Sequence, residues 1–272
     1  MRFNNSLSYL LSAGMAFALL SGCSGAGNTG SGSVSPALQT ASVQRLSGPV
    51  AAPCPANPVA DGLRTVPLAS AGTYGVLGGS TVTSAGLTVI NGNLGVSPGT
   101  AYTGFPPGIV NGTIHAGDPV AAKAESDLGI AYGNAVARKN PTAVPADIGG
   151  MTLKAGLYNA PTTLAISSTL TLDGQNKPDS VFIFQIPSTL TTAVNSVVVL
   201  TNEANACNVF WQVGSSATLN TDSTFIGTIM AAASVSVGTG STINGRLLAQ
   251  SGAVTLLANT VTVPTQGEAP KR

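Results

Sequence analysis

Charged side chains are scarce in this chain. Only 8% of its 272 residues are Asp, Glu, Lys or Arg, against about 25% in an average soluble protein. The 11 basic and 10 acidic residues give a net charge of +1. They form no basic cluster of the kind that nucleic-acid binding requires. We therefore expect no nucleic-acid partner.

Metal-binding and catalytic side chains are few as well. The chain has one histidine, His115, and three cysteines, too few for a convincing zinc site or a disulfide-rich scaffold. Its carboxylates are scattered along the sequence, and the many serines lack a Gly-x-Ser-x-Gly element. We therefore expect no enzyme activity, no catalytic residue, no metal site and no cofactor. His115 is interpreted as a structural residue near the start of a helix.

Long apolar runs are missing except at the N-terminus. Arg2 and the run Leu10–Leu20 are typical of a secretory signal peptide. The following Leu20-Ser21-Gly22-Cys23 resembles the box of bacterial lipoproteins, in which the cysteine is lipidated. Residues 1–22 are thus predicted to be a signal peptide and Cys23 a lipid anchor. That anchor would hold the exported protein to a membrane, at the outer membrane or cell surface, from which it could also be released.

The remaining chain divides into three predicted parts. Residues 23–58 are Gly/Ser-rich and then Pro/Ala-rich, as expected of a flexible tether. Residues 59–265 are predicted to form the folded domain and residues 266–272 a C-terminal tail. Two further cysteines, Cys54 and Cys207, could pair in an oxidising compartment. Cys207 also lies in an apolar strand and could simply belong to the core.

Small and β-branched residues dominate the predicted domain and recur at a fixed interval. The segment Thr221–Thr228 aligns with Thr239–Arg246, eighteen residues later, and Leu257–Thr262 is a fainter third copy. Short β-branched runs between Gly, Asn and Ser predict strands and turns. A short repeat favours a β-solenoid, in which each coil stacks on the next. The predicted fold class is therefore mainly β, a β-solenoid.

One segment departs from the β pattern and predicts a helix over about 119–139. Asp118 is a suitable N-cap and Pro119 a suitable first helical residue. The predicted apolar stripe consists of Val120, Ala124, Leu128, Ala131, Ala135 and Val136. We expect this helix to lie along one side of the solenoid and to cover its core.

The repeated threonines suggest a function. Stacked strands with Thr at equivalent positions would form a flat array of methyl and hydroxyl groups about 4.8 Å apart. Such an array is stiff, because β-branched side chains have restricted χ1 angles. A flat, rigid, uncharged lattice is complementary to a solid such as ice. The alternative is that Thr is present only because it favours strands.

Several strings in the sequence resemble the microbial ice-binding protein family. They are Leu77–Thr83, Gly92–Thr100, Gly104–Gly108, Gly112–Ala116, Val181–Gln185 and Ala206–Gly214. The resemblance covers roughly residues 66–264. It implies a right-handed β-solenoid of triangular cross-section, with one long α-helix alongside and a discontinuous coil order. It also implies antifreeze activity: thermal hysteresis and inhibition of ice recrystallisation at the surface of an ice crystal.

The resemblance also implies an ice-binding face, which in the family often has the pattern Thr-Ala/Gly-x-Thr/Asn. Segments 192–195 and 239–242 match this pattern, whereas 221–224, 85–88 and 257–260 match it in part. The predicted ice-binding residues are accordingly Thr88, Thr192, Asn195, Thr221, Ser223, Thr224, Thr239, Ser241, Thr242 and Thr260.

A second function remains open for the same scaffold. A surface adhesin or glycan-binding module could use a β-solenoid without any effect on ice. Sugar sites favour exposed aromatic side chains, and the single tryptophan, Trp211, is predicted to lie in a core strand. In either case the protein is expected to be a monomer.

Overall fold

The computed structural model describes residues 52–54, 59–60 and 63–266. The predicted signal peptide, Cys23, most of the predicted tether and residues 267–272 lie outside the described residues. Within the described part, no helix is both long and apolar enough to cross a membrane.

The described chain forms a β-solenoid with three parallel-stranded faces. Successive coils contribute one short strand to each face, and strands of neighbouring coils pair in parallel. Side chains alternate inward and outward along each strand, because the side-chain period of a β-strand is two residues. The inward residues are Val, Leu, Ile and Phe, so that a continuous core runs along the stack.

The three faces are named here A, B and C, and their strands are given in stacking order. Two long strands, Thr224–Ala231 and Thr242–Ala249, belong to face B with their first halves and to face A with their second. The other strands of face A are Ile114–Ala116, Asn93–Val96, Tyr74–Gly78, Val209–Val213, Phe182–Ile186, Gly156–Asn159 and Thr142–Ala143. Those of face B are Ile109–Val110, Val89–Asn91, Thr260–Thr262, Val197–Thr201, Thr169–Asp173 and Thr152–Lys154. Face C consists of Ala101–Thr103, Thr81–Ala85, Val254–Leu257, Val235–Val237, Ala217–Leu219, Leu190–Thr192 and Leu164–Ile166.

The order of the coils in space differs from their order in sequence. Strand Tyr74–Gly78 pairs with the end of Thr242–Ala249, with Val76 opposite Leu247. The N-terminal coils therefore stack on the last C-terminal coil, which confirms the discontinuous order. The eighteen-residue repeat is confirmed as well, because Thr224 lies opposite Thr242 and Thr242 opposite Thr260.

Aromatic residues fill the middle of the core. The rings of Tyr158, Phe184 and Trp211 stack from coil to coil, with 4.0 Å between the centroids of Phe184 and Trp211. The indole of Trp211 is fully buried and donates a hydrogen bond to the carbonyl of Ile226 at 3.0 Å. The prediction that Trp211 is a core residue is thus confirmed.

Helix α1, Pro119–Val136, lies against face A. Asp118 caps it by accepting a hydrogen bond from the Ala121 amide at 2.8 Å. The buried stripe consists of Ala121, Ala124, Leu128, Ala131 and Ala135, together with Asp127. The predicted positions of Val120 and Val136 in this stripe were wrong, because these side chains are 51% and 48% exposed. The helix also ends three residues before the predicted Lys139.

Small side chains let α1 approach the sheet closely enough for direct hydrogen bonds. The amide of Gln185 on face A donates to the carbonyl of Ala135 at 2.8 Å. The side-chain amide of Gln212 donates to the Tyr132 hydroxyl at 2.9 Å. The helix therefore covers face A and leaves faces B and C as the uncovered sides of the described coils.

A disulfide joins Cys54 to Cys207 across 153 residues of sequence. Strand Ala52–Pro53 pairs antiparallel with Thr265–Gln266. These contacts begin before residue 59, so the predicted boundary between tether and domain lies too far along the chain. The predicted tail likewise begins inside a strand. A Cys–Cys pairing was only one of two alternatives for Cys207, and the structure contains the pair.

The buried guanidinium of Arg246 lies next to this disulfide. It donates to the carbonyl of Gly72 at 2.8 Å and to the hydroxyl of Thr228 at 3.2 Å. Burial lowers its pKa to about 10, so it remains charged at neutral pH. Arg246 thereby holds the 3₁₀ helix Ala69–Thr73 against face A.

Candidate functional site

A column of threonines lies on the outer side of face B. Thr224, Thr242 and Thr260 occupy equivalent positions in three successive strands, and all three are exposed. Neighbouring strands are about 4.8 Å apart, so the three side chains repeat at that interval. Val89 and Val197 continue the column on either side. These positions confirm that the eighteen-residue repeat places threonines in register on one surface.

A second column runs beside the first, two residues further along each strand. It contains Asn91, Thr262 and Asn244 in register. The side-chain amide of Asn91 donates to the Thr262 hydroxyl at 3.0 Å. The side-chain amide of Asn111, in the next coil, donates to the side-chain oxygen of Asn91 at 2.8 Å. Hydrogen bonds between rungs thus fix Asn91, Thr262 and Asn111, so that this part of the surface is ordered before it meets any ligand.

Within the strands of face B, charged residues lie only at one end, and the exposed Asp222 lies in the corner turn before Thr224. Lys154 lies opposite Asp173 at the end furthest from the N-terminal coils. The Asn202 amide donates to Asp173 at 2.8 Å and holds the pKa of that carboxyl below its usual range. The strand segments that contain Thr224, Thr242 and Thr260 have no charged side chain on this face. The central part of face B is therefore a neutral surface of methyl, hydroxyl and amide groups.

The corner between faces C and B explains which predicted residues reach this surface. Five successive coils turn the corner through one residue with positive φ: Gly86, Ala258, Gly240, Asp222 and Asn195. The residue that follows in most coils points inward and is buried: Ser196, Ser223, Ser241 and Asn259. Thr88 takes this inward place in the coil that begins its turn at Gly86.

These inward side chains form a ladder of hydrogen bonds inside the corner. The Ser241 hydroxyl donates to the carbonyl of Asn220 at 2.9 Å and accepts from the Ser223 amide at 3.2 Å. The Asn259 amide donates to the carbonyl of Gly238 at 2.7 Å. Buried polar groups need such partners, and here they join one coil to the next.

Four of the predicted ice-binding residues belong to this interior and not to the surface. Thr88, Thr192, Ser223 and Ser241 are at most 1% exposed, which corrects the prediction. Thr192 follows the inward residue Leu190 by two positions and is therefore inward itself. Its hydroxyl bonds to that of Ser223 at 2.9 Å. The pattern match at 192–195 was two residues out of register with the match at 239–242.

The other six predicted residues lie on the outside. Thr224, Thr242 and Thr260 begin the strands of face B, whereas Asn195, Thr221 and Thr239 lie in the corner turns. Sequence reasoning missed the second column, with Asn91, Asn244 and Thr262. A signal for it is present in the sequence, where an apolar residue followed by Asn-Gly occurs at 90–92 and again at 110–112. Ile90 and Val110 of these segments lie opposite each other in adjacent coils.

His115 and Asp147, away from face B, have structural partners. The Nδ1 atom of His115 lies 2.7 Å from a carboxylate oxygen of Asp118. The pKa of the Asp118 carboxyl is lowered chiefly by the hydrogen bond from the Ala121 amide and secondly by the one with His115. Asp147 accepts from the amide of Gly149 at 2.8 Å in a turn. Among the described residues, no group of three His, Cys, Asp or Glu is placed to hold a metal ion.

Comparison with known proteins agrees with this geometry. Residues 76–262 match the profile of the ice-binding-like family. The chain belongs to the ice-binding-like family. A relative named ice-binding protein from Nostoc sp. (strain HG1) is 50% identical over 198 residues, which are 71% of this chain and 72% of the relative.

Solved structures of ice-binding proteins have the same fold as this family member. The ice-binding protein of the Antarctic ascomycete Antarctomyces psychrotrophicus aligns with a TM-score of 0.72 and 42% identity, over 74% of this chain and all of that one. One from an Antarctic biological consortium aligns with a TM-score of 0.71 and 45% identity, over 73% of this chain and 90% of that one. The β-solenoid predicted from the sequence is thus confirmed.

Proposed function

We propose that this protein adsorbs to ice through face B and acts as an antifreeze protein. The observation that carries the proposal is the column of Thr224, Thr242 and Thr260, exposed and in register on three successive strands. Membership in the ice-binding-like family supports it. The glycan-binding alternative lacks similar support, because its candidate aromatic residue Trp211 is buried.

Adsorption follows from the chemistry of the face. Each threonine offers a methyl group beside which water becomes ordered and a hydroxyl that holds that water. The rotamer of a β-branched side chain is largely fixed, so little entropy is lost when ice forms against it. Adsorbed molecules force the ice front to curve between them, and this curvature lowers the local freezing point. The same adsorption slows the growth of large crystals at the expense of small ones.

Substitution of Thr242 tests the proposal. Thr242 lies in the middle of the column, and a Thr242→Tyr ring would stand above the lattice and keep ice away from its neighbours. We expect thermal hysteresis, measured on single crystals, to fall to a small fraction of the wild-type value. Thr142→Tyr is the matched control, since Thr142 is an exposed strand residue on face A. Equal hysteresis in the Thr242→Tyr and Thr142→Tyr proteins would contradict a role for face B.

The N-terminal sequence bears on where in the cell this activity takes place. We propose that the exported protein acts as a monomer anchored to the cell envelope through a lipid on Cys23. The signal-like segment before Cys23 and the Gly/Ser-rich residues after it support this proposal. Mass spectrometry of the mature N-terminal peptide and light scattering of the soluble body are the corresponding measurements. An unmodified or uncleaved N-terminus would refute the anchor.

A further inference from the structure

A cavity of about 510 Å³ lies beside the buried guanidinium of Arg246. It is lined by residues of the segment 65–73, by the disulfide Cys54–Cys207 and by residues 263–265. Arg246 lies opposite Thr228 in the face A half of its strand, so the cavity is away from the threonine column of face B. Its volume is within the roughly 300–1,000 Å³ that small-molecule sites occupy.

The positive charge of Arg246 is enclosed without an acidic partner in the described part of the chain. The residue is 3% exposed, and none of the described ion pairs involves it. Its Nε donates to the Gly72 carbonyl at 2.8 Å, its Nη1 to the Thr228 hydroxyl at 3.2 Å and its Nη2 to the Cys54 sulfur at 3.7 Å. These acceptors are uncharged, and the second N–H of each terminal nitrogen has no described acceptor. Because buried charges are normally paired, the cavity is suited to an anion.

The charge of the cavity indicates a monoanion. Among its described lining residues, Arg246 is the one charged side chain. A phosphate dianion would therefore keep an unpaired negative charge in a buried place. The planar guanidinium presents parallel N–H groups that match the two oxygens of a carboxylate. A carboxylate thus fits both the charge and the shape of the cation.

Apolar side chains form much of the remaining lining. They are Val66, Pro67, Leu68, Phe210, Val263 and Pro264. A small inorganic ion would leave these walls uncovered. A hydrocarbon chain would be removed from water against them, which is favourable. The expected anion therefore carries an apolar chain.

We propose that this cavity binds one organic carboxylate with an apolar chain, of the fatty-acid class. The carboxylate pairs with the guanidinium of Arg246, and the chain lies against the apolar lining. A ligand that binds only the folded state also stabilises it. The bound acid would therefore strengthen the junction of the 3₁₀ helix, the disulfide and face A. This site is independent of the proposed adsorption to ice.

Calorimetric titration of octanoate into the purified full chain, with its disulfide intact, tests the proposal. We expect saturable binding of one octanoate per chain. Binding of 1-octanol, which has a chain of the same length without the charge, should be weaker by about tenfold or more. The melting temperature should rise with the octanoate concentration.

Two variants separate the cation from the cavity. Arg246→Met removes the charge, and octanoate should then bind no better than 1-octanol. Since this change also removes hydrogen bonds that hold the fold, Leu68→Trp is the second variant. It keeps Arg246 and fills the cavity, so that neither compound should bind. Leu87→Trp is its matched control, because Leu87 is an exposed leucine outside the cavity lining, and binding should equal that of the wild type. Thermal unfolding verifies that each variant is folded.

Other results would overturn the proposal. Equal affinities for octanoate and 1-octanol in the wild type would remove the role of Arg246, and unchanged binding in Leu68→Trp would remove that of the cavity. Chloride or phosphate binding as tightly as octanoate would show a simple anion site. Octanoate binding that occurs only in Asp61→Asn or Glu268→Gln would show that a carboxylate of the chain itself fills the site. No measurement here involves ice, so a failure leaves the proposed function of face B standing.

Discussion

Hydroxyl side chains in this protein are either buried between coils or exposed on a face, and the backbone conformation determines which. At the corner between faces C and B, one residue with positive φ reverses the direction of the next side chain. Ser241 is therefore buried after Gly240, whereas Thr242 is exposed immediately beyond it. The buried hydroxyls bind coils together, and the exposed ones form the surface.

Replacement of a ladder hydroxyl should affect stability. Ser241→Ala leaves the Ser223 amide without its side-chain acceptor and removes a donor from the Asn220 carbonyl. We expect a loss of about 1–3 kcal/mol in the free energy of unfolding, measured by denaturant titration. The control is Ser236→Ala on face C, where an exposed serine is replaced and the change should be within about 0.5 kcal/mol. Equal effects of the two substitutions would count against a structural ladder.

The sequence allowed the repeat to be found but not the direction of each hydroxyl. Eighteen residues separate Thr224 from Thr242, and that spacing alone places them opposite each other. The inward direction of Ser223 and Ser241 depends on the left-handed residues Asp222 and Gly240. A simple alternation of strand residues does not continue through such a turn. For this reason Thr88, Ser223 and Ser241 were assigned to the wrong side, whereas Thr192 was misassigned because the pattern match at 192–195 was out of register.

Helix α1 contains a carboxyl group in an unfavourable environment. One oxygen of Glu125 is buried without a hydrogen-bond partner in the described structure. Burial raises the pKa of this carboxyl to about 8 from its ordinary value of 4.5. The folded protein therefore retains a proton on Glu125 that the unfolded chain releases above pH 4.5.

Stability should consequently fall as the pH rises from about 4.5 to 8, because the unfolded state binds fewer protons in this interval. Glu125→Gln should remove this slope and stabilise the protein at pH 8. We expect a gain on the order of 2 kcal/mol, reduced from the full shift because the side chain is partly solvated. Thermal unfolding of both proteins between pH 5 and pH 8 is the measurement. Parallel curves for the two proteins would refute the role of Glu125.

The position of α1 was predictable, but its orientation was less so. Asp118 and Pro119 mark the start of the helix in the sequence as in the structure. Hydrophobicity favoured Val120 and Val136 as buried residues, yet alanines occupy the contact. Gln185 reaches the carbonyl of Ala135 only because small side chains allow a close approach, a feature that hydrophobic periodicity does not contain.

Over the whole described chain, the disulfide is a link between distant parts of the sequence. Cys54 and Cys207 close a loop of 153 residues, and such links stabilise chiefly by restricting the unfolded state. Replacement of both cysteines by serine should lower the free energy of unfolding by about 2–5 kcal/mol, and the melting temperature by roughly 5–15 °C. Thermal hysteresis near 0 °C should be retained, since neither cysteine lies on face B or C. An unchanged melting temperature would contradict this account.

The pairing of Tyr74–Gly78 with Thr242–Ala249 determines when the molecule can fold. The chain is synthesised from its N-terminus, and the coil of residues 74–91 can pair early with the coil of residues 93–110. Its other side has no partner until residues 242–262 have been made. Closure of so long a loop is entropically unfavourable until the partner strand exists. The N-terminal coils therefore keep one open edge of unpaired strands until the end of the domain arrives to cover it.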